Sequence, residues 1–191
     1  MKKGVRVSLV TSNEEKYLEM KEMATEFNIE LEWIKSEKIE IQHDKLEEIS
    51  KTAAILAYLV FRKPLIVDDS GLFIDTLNGF PGPYTNFVKK TIDNEGILKL
   101  LKGVKNRSAY FMTVITFTDG NITKSFSGIV RGVIAEEARG NRGFGFDPIF
   151  IPEGENRTFA EMTINEKNKY SHRYKAFSKF AEFLQSYTSQ I

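Results

Sequence analysis

Apolar and polar positions alternate in blocks that read as strand, then helix, from the start of the chain. Residues 5–10, Val-Arg-Val-Ser-Leu-Val, form a β-rich run that ends at Thr11-Ser12-Asn13, a cluster suited to a turn and a helix N-cap. Glu14 and Glu15 follow, acids placed where a helix dipole favours them. Tyr17, Met20, Ala24 and Phe27 recur at helical spacing, which predicts a buried stripe. Residues 31–34 predict a second short strand. Residues 46–61 predict a helix with Ile49, Ala53, Leu56 and Val60 on its inner face. Leu65-Ile66-Val67 predicts a third strand, halted by an acidic turn at Asp68-Asp69-Ser70-Gly71. Two strand–helix units ahead of that turn are typical of α/β proteins.

Gly79-Phe80-Pro81-Gly82-Pro83 predicts a rigid loop, and short helices are expected near 85–91 and 95–101. Residues 107–117 and 123–134 predict two long antiparallel strands joined by Thr118-Asp119-Gly120-Asn121. A Gly-rich segment spans 140–147. The last helix is expected from about Ser171, burying Ala176, Phe177, Phe180, Phe183, Leu184 and Tyr187. Neither repeats nor a linker interrupt the pattern, so residues 1–191 are expected to form one α/β domain.

Composition narrows the function. With 191 residues, 41% hydrophobic and 28% charged, the chain is an ordinary globular protein. A net charge of +1, with the charges dispersed, supplies no field for nucleic acid or an anionic membrane, so neither is expected as a partner. Any anionic ligand must be held by specific donors. The absence of cysteine removes disulfides, thiolate metal sites and a cysteine nucleophile. Met1-Lys2-Lys3-Gly4 is basic but leads straight into a short strand, unlike a secretory leader. No apolar stretch nears the roughly 18 residues of a membrane span. A cytoplasmic protein is the expectation.

Four clusters carry candidate chemistry. Thr11-Ser12-Asn13-Glu14-Glu15-Lys16 sits between strand and helix, where outward N–H groups favour anions and Thr11, Asn13 and Lys16 add donors. It lacks the spacing of a Walker loop. Asp68 and Asp69 follow an apolar strand, and paired hard oxygen ligands suit Mg2+. Gly143-Phe144-Gly145-Phe146-Asp147-Pro148 offers aromatic faces for a planar base, with Asp147 able to accept from its edge. Lys167-Asn168 and Ser171-His172-Arg173 cluster donors at the entry to the last helix. Each has a plain structural reading: an N-cap, a turn, core aromatics, a solvated helix start. His43 reads as a surface residue, and no Ser-His-Asp arrangement or nucleophile elbow is present.

Their order is more telling than any one of them. Thr-Ser-Asn-x-x-Lys, Asp-Asp-Ser-Gly-Leu, Gly-Phe-Pro-Gly-x-Tyr, Gly-Phe-Gly-Phe-Asp-Pro-x-Phe and Ser-His-Arg, with Phe159-Ala160-Glu161-Met162 between the last two, resembles the inosine triphosphate pyrophosphatase (Ham1-like) family over about 5–183. That resemblance implies an elongated two-lobed mixed-sheet fold with a nucleotide cleft between the lobes, and a homodimer. It implies hydrolysis of non-canonical purine nucleoside triphosphates (ITP, dITP, XTP) to monophosphate and pyrophosphate with Mg2+. By position, Thr11, Ser12, Asn13 and Lys16 would hold the triphosphate, with Ser70 beside them. Asp69 would be the essential carboxylate, with Lys16 assisting, and Glu40 and Asp69 the metal ligands. Phe144, Gly145, Phe146 and Asp147 would form the base loop, and Lys167, Ser171, His172 and Arg173 would reach the purine.

One family feature is missing. A phosphate-binding lysine is common in the helix before the Asp-Asp strand, and here Thr52 or Ala53 occupies its place. Two other readings stay open: a nucleotide-binding sensor without catalysis, and a pyrophosphatase for other modified nucleotides.

Overall fold

The computed structural model describes residues 5–188, so the basic residues 1–4 weighed above as a leader lie outside the described residues. Mixed helices and strands build a seven-stranded sheet. Strand β1 (Val5–Val10) pairs in parallel with β2 (Ile29–Ile34) and with β3 (Leu65–Ile74), and helix α1 (Glu14–Glu26) and helix α2 (Leu46–Phe61) make the crossovers. The sheet order is β2-β1-β3-β5-β6-β7, where β5 is Ser108–Thr118, β6 Thr123–Ile134 and β7 Phe150–Pro152. β4 (Pro81–Gly82) lies off this path, antiparallel to β3. The remaining helices are α3 (Thr85–Thr91), α4 (Asp93–Leu100), α5 (Ile164–Asn168) and α6 (His172–Thr188).

The chain divides into two compact units. The first takes the chain up to Asp69, Thr113–Gly128 and the chain from Arg173; the second takes Ser70–Met112 and Ile129–His172. Strands β3, β5 and β6 each give residues to both.

In the first unit, α1 starts as its residues dictate. The Asn13 side chain accepts from the Lys16 N–H at 2.9 Å, and Glu14 and Glu15 fill the first turn. The expected stripe holds for Met20 and Ala24, while Tyr17 is half-buried and stacks on Trp33 of β2 at 4.6 Å. Phe117, Phe126, Phe177, Phe180 and Leu184 fill the core with Leu9 and Ile66. Phe183 and Tyr187 of α6 pack against it partly buried. In α2 the inner face is Leu46, Ile49, Ser50, Ala53, Ala54 and Ala57, a rotation from the expected stripe, and Val60 is 69% exposed. Small alanines let the helix lie close against Val10, Leu65 and Val67, and the sheet selects that face over the larger side chains. At the β5–β6 turn, Gly120 has φ +92°, and a Cβ there would meet the Tyr58 ring at 2.2 Å.

The second unit packs Phe111, Phe146, Phe150 and Phe159 with Leu72, Ile97 and Met162. Here β3 corrects the sequence reading. The strand does not stop at Asp68 but runs through the acidic pair to Ile74, because Leu72 and Phe73 pair with Gly82 and Pro81 of β4. Gly71 makes that approach possible, since a Cβ on it would lie 2.7 Å from the Gly82 carbonyl oxygen. Tertiary pairing overrides the turn preference of Asp-Ser-Gly.

Phe180 is fully buried in the first unit. Phe180→Ala should lower unfolding free energy by about 3–5 kcal/mol in urea titrations. A loss below about 1 kcal/mol would contradict this account of the core.

Candidate functional site

The turn between β1 and α1 is capped as its sequence suggests. Thr11 closes β1, and its buried hydroxyl oxygen accepts the Asn13 N–H at 3.1 Å while Asn13 caps α1. Ser12 is exposed. Lys16, one turn into the helix, sends its ammonium to Asp68 Oδ1 at 3.1 Å.

Asp68 and Asp69 are neighbours in sequence but not in role. Consecutive side chains of a strand leave on opposite faces, and the two carboxylates meet different partners. Asp68 is completely buried. It takes Lys16 on one oxygen and Arg173 Nε on the other at 3.3 Å, and Arg173 Nη1 also binds buried Glu19 at 2.5 Å. Burial alone would raise the Asp68 pKa, but Lys16, Arg173 and Lys38 outweigh it and hold the carboxyl well below the usual range. Asp68 is thus neutralised by basic side chains.

Asp69 is the available carboxylate. Its Oδ1 accepts from Lys38 Nζ at 2.7 Å, whereas its buried Oδ2 has no hydrogen-bond partner. Burial pushes its pKa up, to about 6; Lys38 and Lys16 oppose the rise and Glu40 adds to it. Lys38 Nζ also reaches Glu40 Oε1 at 3.1 Å and the Asp68 carbonyl at 2.6 Å. Burial would lower the Lys38 pKa, but the charges of Asp69, Asp68 and Glu40 hold it above the ordinary lysine range.

These atoms fit a hard divalent cation. Glu40 and Asp69 are carboxylates, the buried Oδ2 of Asp69 accepts no hydrogen bond, and a cation, the Lys38 ammonium, lies against both acids. Among the described residues no cluster of three or more His, Cys, Asp or Glu could hold a metal. A pair of carboxylates, with waters and phosphate oxygens completing the shell, is how Mg2+ is commonly held at phosphate sites.

In the second unit the residues expected to form a base loop also come together. Asp147 is buried, accepting the Phe144 N–H at 2.9 Å and Lys167 Nζ at 2.7 Å, and that ammonium lies 5.1 Å from the Phe144 ring centre. Gly143 has φ +67°, and a Cβ there would fall 2.2 Å from Asp147 Oδ2, so the loop closes on its own aspartate. Phe146 is 1% exposed within the apolar core, leaving Phe144, half-buried, as the ring of this loop nearer the surface. Gly145 is open, with nothing near its absent side chain. Ser171 is buried, and the His172 ring stacks on Phe111 at 4.7 Å. Ser70 is half-buried beside Asp69.

Two participants escaped the sequence reading. Glu19 stands on the inner face of α1, a glutamate at a position four residues from apolar Met23, and that placement was the available signal. Lys38 sits in a chain stretch without helix or strand, two residues before Glu40, with no pattern to mark it. At the place of the missing helix lysine, Ala53 is packed in an apolar cluster, so α2 supplies no cation there.

Comparison with known proteins adds an independent line. The sequence pattern of the Ham1 family matches residues 7–183. A dITP/XTP pyrophosphatase of Saccharolobus solfataricus is 68% identical, over 100% of this chain and 99% of that protein. One from Methanopyrus kandleri is 50% identical over 94% of this chain and 96% of its own length. Among solved structures, a HAM1 protein from Coxiella burnetii aligns with a TM-score of 0.83 and 29% identity, covering 95% of this chain and 99% of that one. The Staphylococcus aureus Ham1 protein aligns with a TM-score of 0.79 and 29% identity, covering 94% and 98%.

The buried charges make a pH prediction. Asp68 has a depressed folded pKa, so its contribution to stability is present above its unfolded value of about 4 and is lost as pH falls through the folded value. Unfolding free energy should decline below about pH 4, and Asp68→Asn should flatten that decline. Arg173→Met, which strands Asp68 and Glu19, should destabilise by about 3–5 kcal/mol at neutral pH. Urea titrations across pH check both, and an unchanged acid decline in Asp68→Asn would refute the assignment.

Proposed function

The chain belongs to the Ham1 family, and on that premise we propose that it hydrolyses dITP, ITP and XTP to the nucleoside monophosphate and pyrophosphate, clearing them from the nucleotide pool. The observation that carries the chemical reading is the unpartnered, buried Oδ2 of Asp69 beside Glu40 and Lys38.

Cleavage of the α–β phosphoanhydride requires water to attack the α-phosphorus while charge builds on the leaving pyrophosphate. Glu40 and Asp69 would hold Mg2+, which supplies neutralisation of the phosphate oxygens and lowers the pKa of bound water. Asp69 works as a carboxylate, oriented by Lys38 at one oxygen, and its other oxygen is available to the site. The N-terminus of α1 offers backbone N–H groups and the positive end of its dipole to the leaving group. Lys16 adds a formal charge, and Asp68, itself held by Arg173, keeps that ammonium in place. Arg173 thus supports the phosphate end through Asp68.

The purine edge is assigned to the second unit. Hypoxanthine and xanthine present a 6-keto acceptor where adenine presents an amino donor. Lys167, fixed by Asp147, and His172 are donors that match the keto group, and a donor left unpaired against adenine costs about 1–3 kcal/mol. Phe144 offers the ring on which a base can stack, worth roughly 1–3 kcal/mol. The reading extends to a cytoplasmic homodimer, by resemblance to the family; among the described residues no helix is long and apolar enough to cross a membrane.

Pyrophosphate release from a panel of ITP, dITP, XTP, GTP, ATP and dUTP, with Mg2+ and then EDTA, tests the reaction, with turnover expected for the first three and lost on chelation. Asp69→Asn should abolish turnover while retaining nucleotide binding, and near-normal turnover would sink its role. Because the ionised Asp69 is the working form and its metal-free pKa is raised to about 6, kcat/KM should fall as pH drops through that region. Proton and metal compete for the same carboxylate, so raising Mg2+ should move this acid limb to lower pH. A limb indifferent to Mg2+ would separate it from Asp69.

A further inference from the structure

Lys38 has no place in the chemistry described above beyond orienting Asp69, yet its surroundings are unusual for a lysine. Its side chain is only 8% exposed, and its ammonium faces Asp69 Oδ1 at 2.7 Å, the Asp68 carbonyl at 2.6 Å and Glu40 Oε1 at 3.1 Å. An ammonium carries three N–H donors; two bond the Asp69 carboxylate and the Asp68 carbonyl, and Glu40 completes the set as an ion pair. Two carboxylates and a backbone carbonyl are also the hard donors that a divalent cation selects. Removing the charge would leave half-exposed Glu40 and buried Asp69 facing one another with no cation between them, and burial already disfavours the ionised form of Asp69.

We propose that Lys38 is the resident cation of the metal site: its ammonium holds Glu40 and Asp69 together in the metal-free protein and yields that position when Mg2+ enters. The protein then keeps its acidic pair folded and organised without metal, and Mg2+ affinity is set by competition with a tethered ammonium. Because the tether is intramolecular, the ammonium is present at a high effective concentration and weakens Mg2+ binding without preventing it. Lys63 and Lys16 do not share this role, for Lys63 binds Glu32 and Lys16 binds Asp68.

The inference rests on the assignment of Glu40 and Asp69 as Mg2+ ligands. Its test uses the nucleotide-free full chain, so that it fails separately from the proposed activity. Calorimetric titration with Mg2+ should show Lys38→Met and Lys38→Gln binding at least roughly tenfold more tightly than the unaltered protein, because a unit positive charge a few ångströms from the metal has been removed. In parallel, both variants should melt at lower temperature than the unaltered protein in EDTA and recover more of their Tm on adding Mg2+. Affinity that is unchanged or weaker in the variants overturns the proposal. So does a variant that stays unfolded at high Mg2+, since the metal is held to replace the ammonium. If the unaltered protein releases pyrophosphate from dITP while the variants gain no Mg2+ affinity, only this inference falls; if no triphosphate is hydrolysed, the functional reading falls first.

Discussion

The first unit is organised around two carboxylates that a strand carries into its interior. β3 enters the sheet as Leu-Ile-Val, and the same strand continues through Asp68 and Asp69, neither more than 6% exposed. Buried carboxylates are tolerated only with partners. Much of the local sequence answers that requirement: Lys16 from α1, Arg173 from α6 and Lys38 from the stretch before α2 each bring a cation to the pair. Glu19 then balances Arg173 in turn. The chain is nearly neutral overall, with 27 basic and 26 acidic residues, yet this small volume concentrates its charges in compensating pairs.

Strand geometry divides the labour between the aspartates. Opposite-facing side chains give Asp68 two strong cationic partners and a depressed pKa, which makes it a fixed anion that places Lys16. Asp69 receives one ammonium, keeps one oxygen unpartnered and has its pKa raised by burial. Adjacent residues of the same type therefore become a positioning residue and a candidate catalytic residue. A similar economy appears in the second unit, where Asp147 ties the Phe144 backbone and the Lys167 ammonium into one loop, so that this ammonium is held by a buried anion.

Burial also qualifies what an aromatic-rich motif means. Phe144 and Phe146 stand two apart between glycines and look equivalent along the chain. Packing separates them: Phe146 joins the core with Phe150 and Phe159, and Phe144 stays half-buried over Lys167. The same applies to α2, where alanines rather than Leu56 and Val60 face the sheet because close helix–strand approach rewards small side chains.

Residue order alone determined the α/β class, the strand–cap–helix opening at Val5–Val10 and Asn13, the bounds of α2 and β6, and the family resemblance, because these follow from local propensity, periodicity and motif spacing. The chain division into two units, the passage of β3 through its acidic pair, and the rotation of α2 were decided by tertiary structure. Each depends on contacts remote in sequence, such as Leu72 with Gly82 or Ala53 with Val67. So does the difference between Asp68 and Asp69, which no local pattern encodes. Lys38 is the clearest case: nothing in Ser-Glu-Lys-Ile-Glu marks its lysine, and only folding brings that ammonium within 2.7 Å of an aspartate 31 residues away.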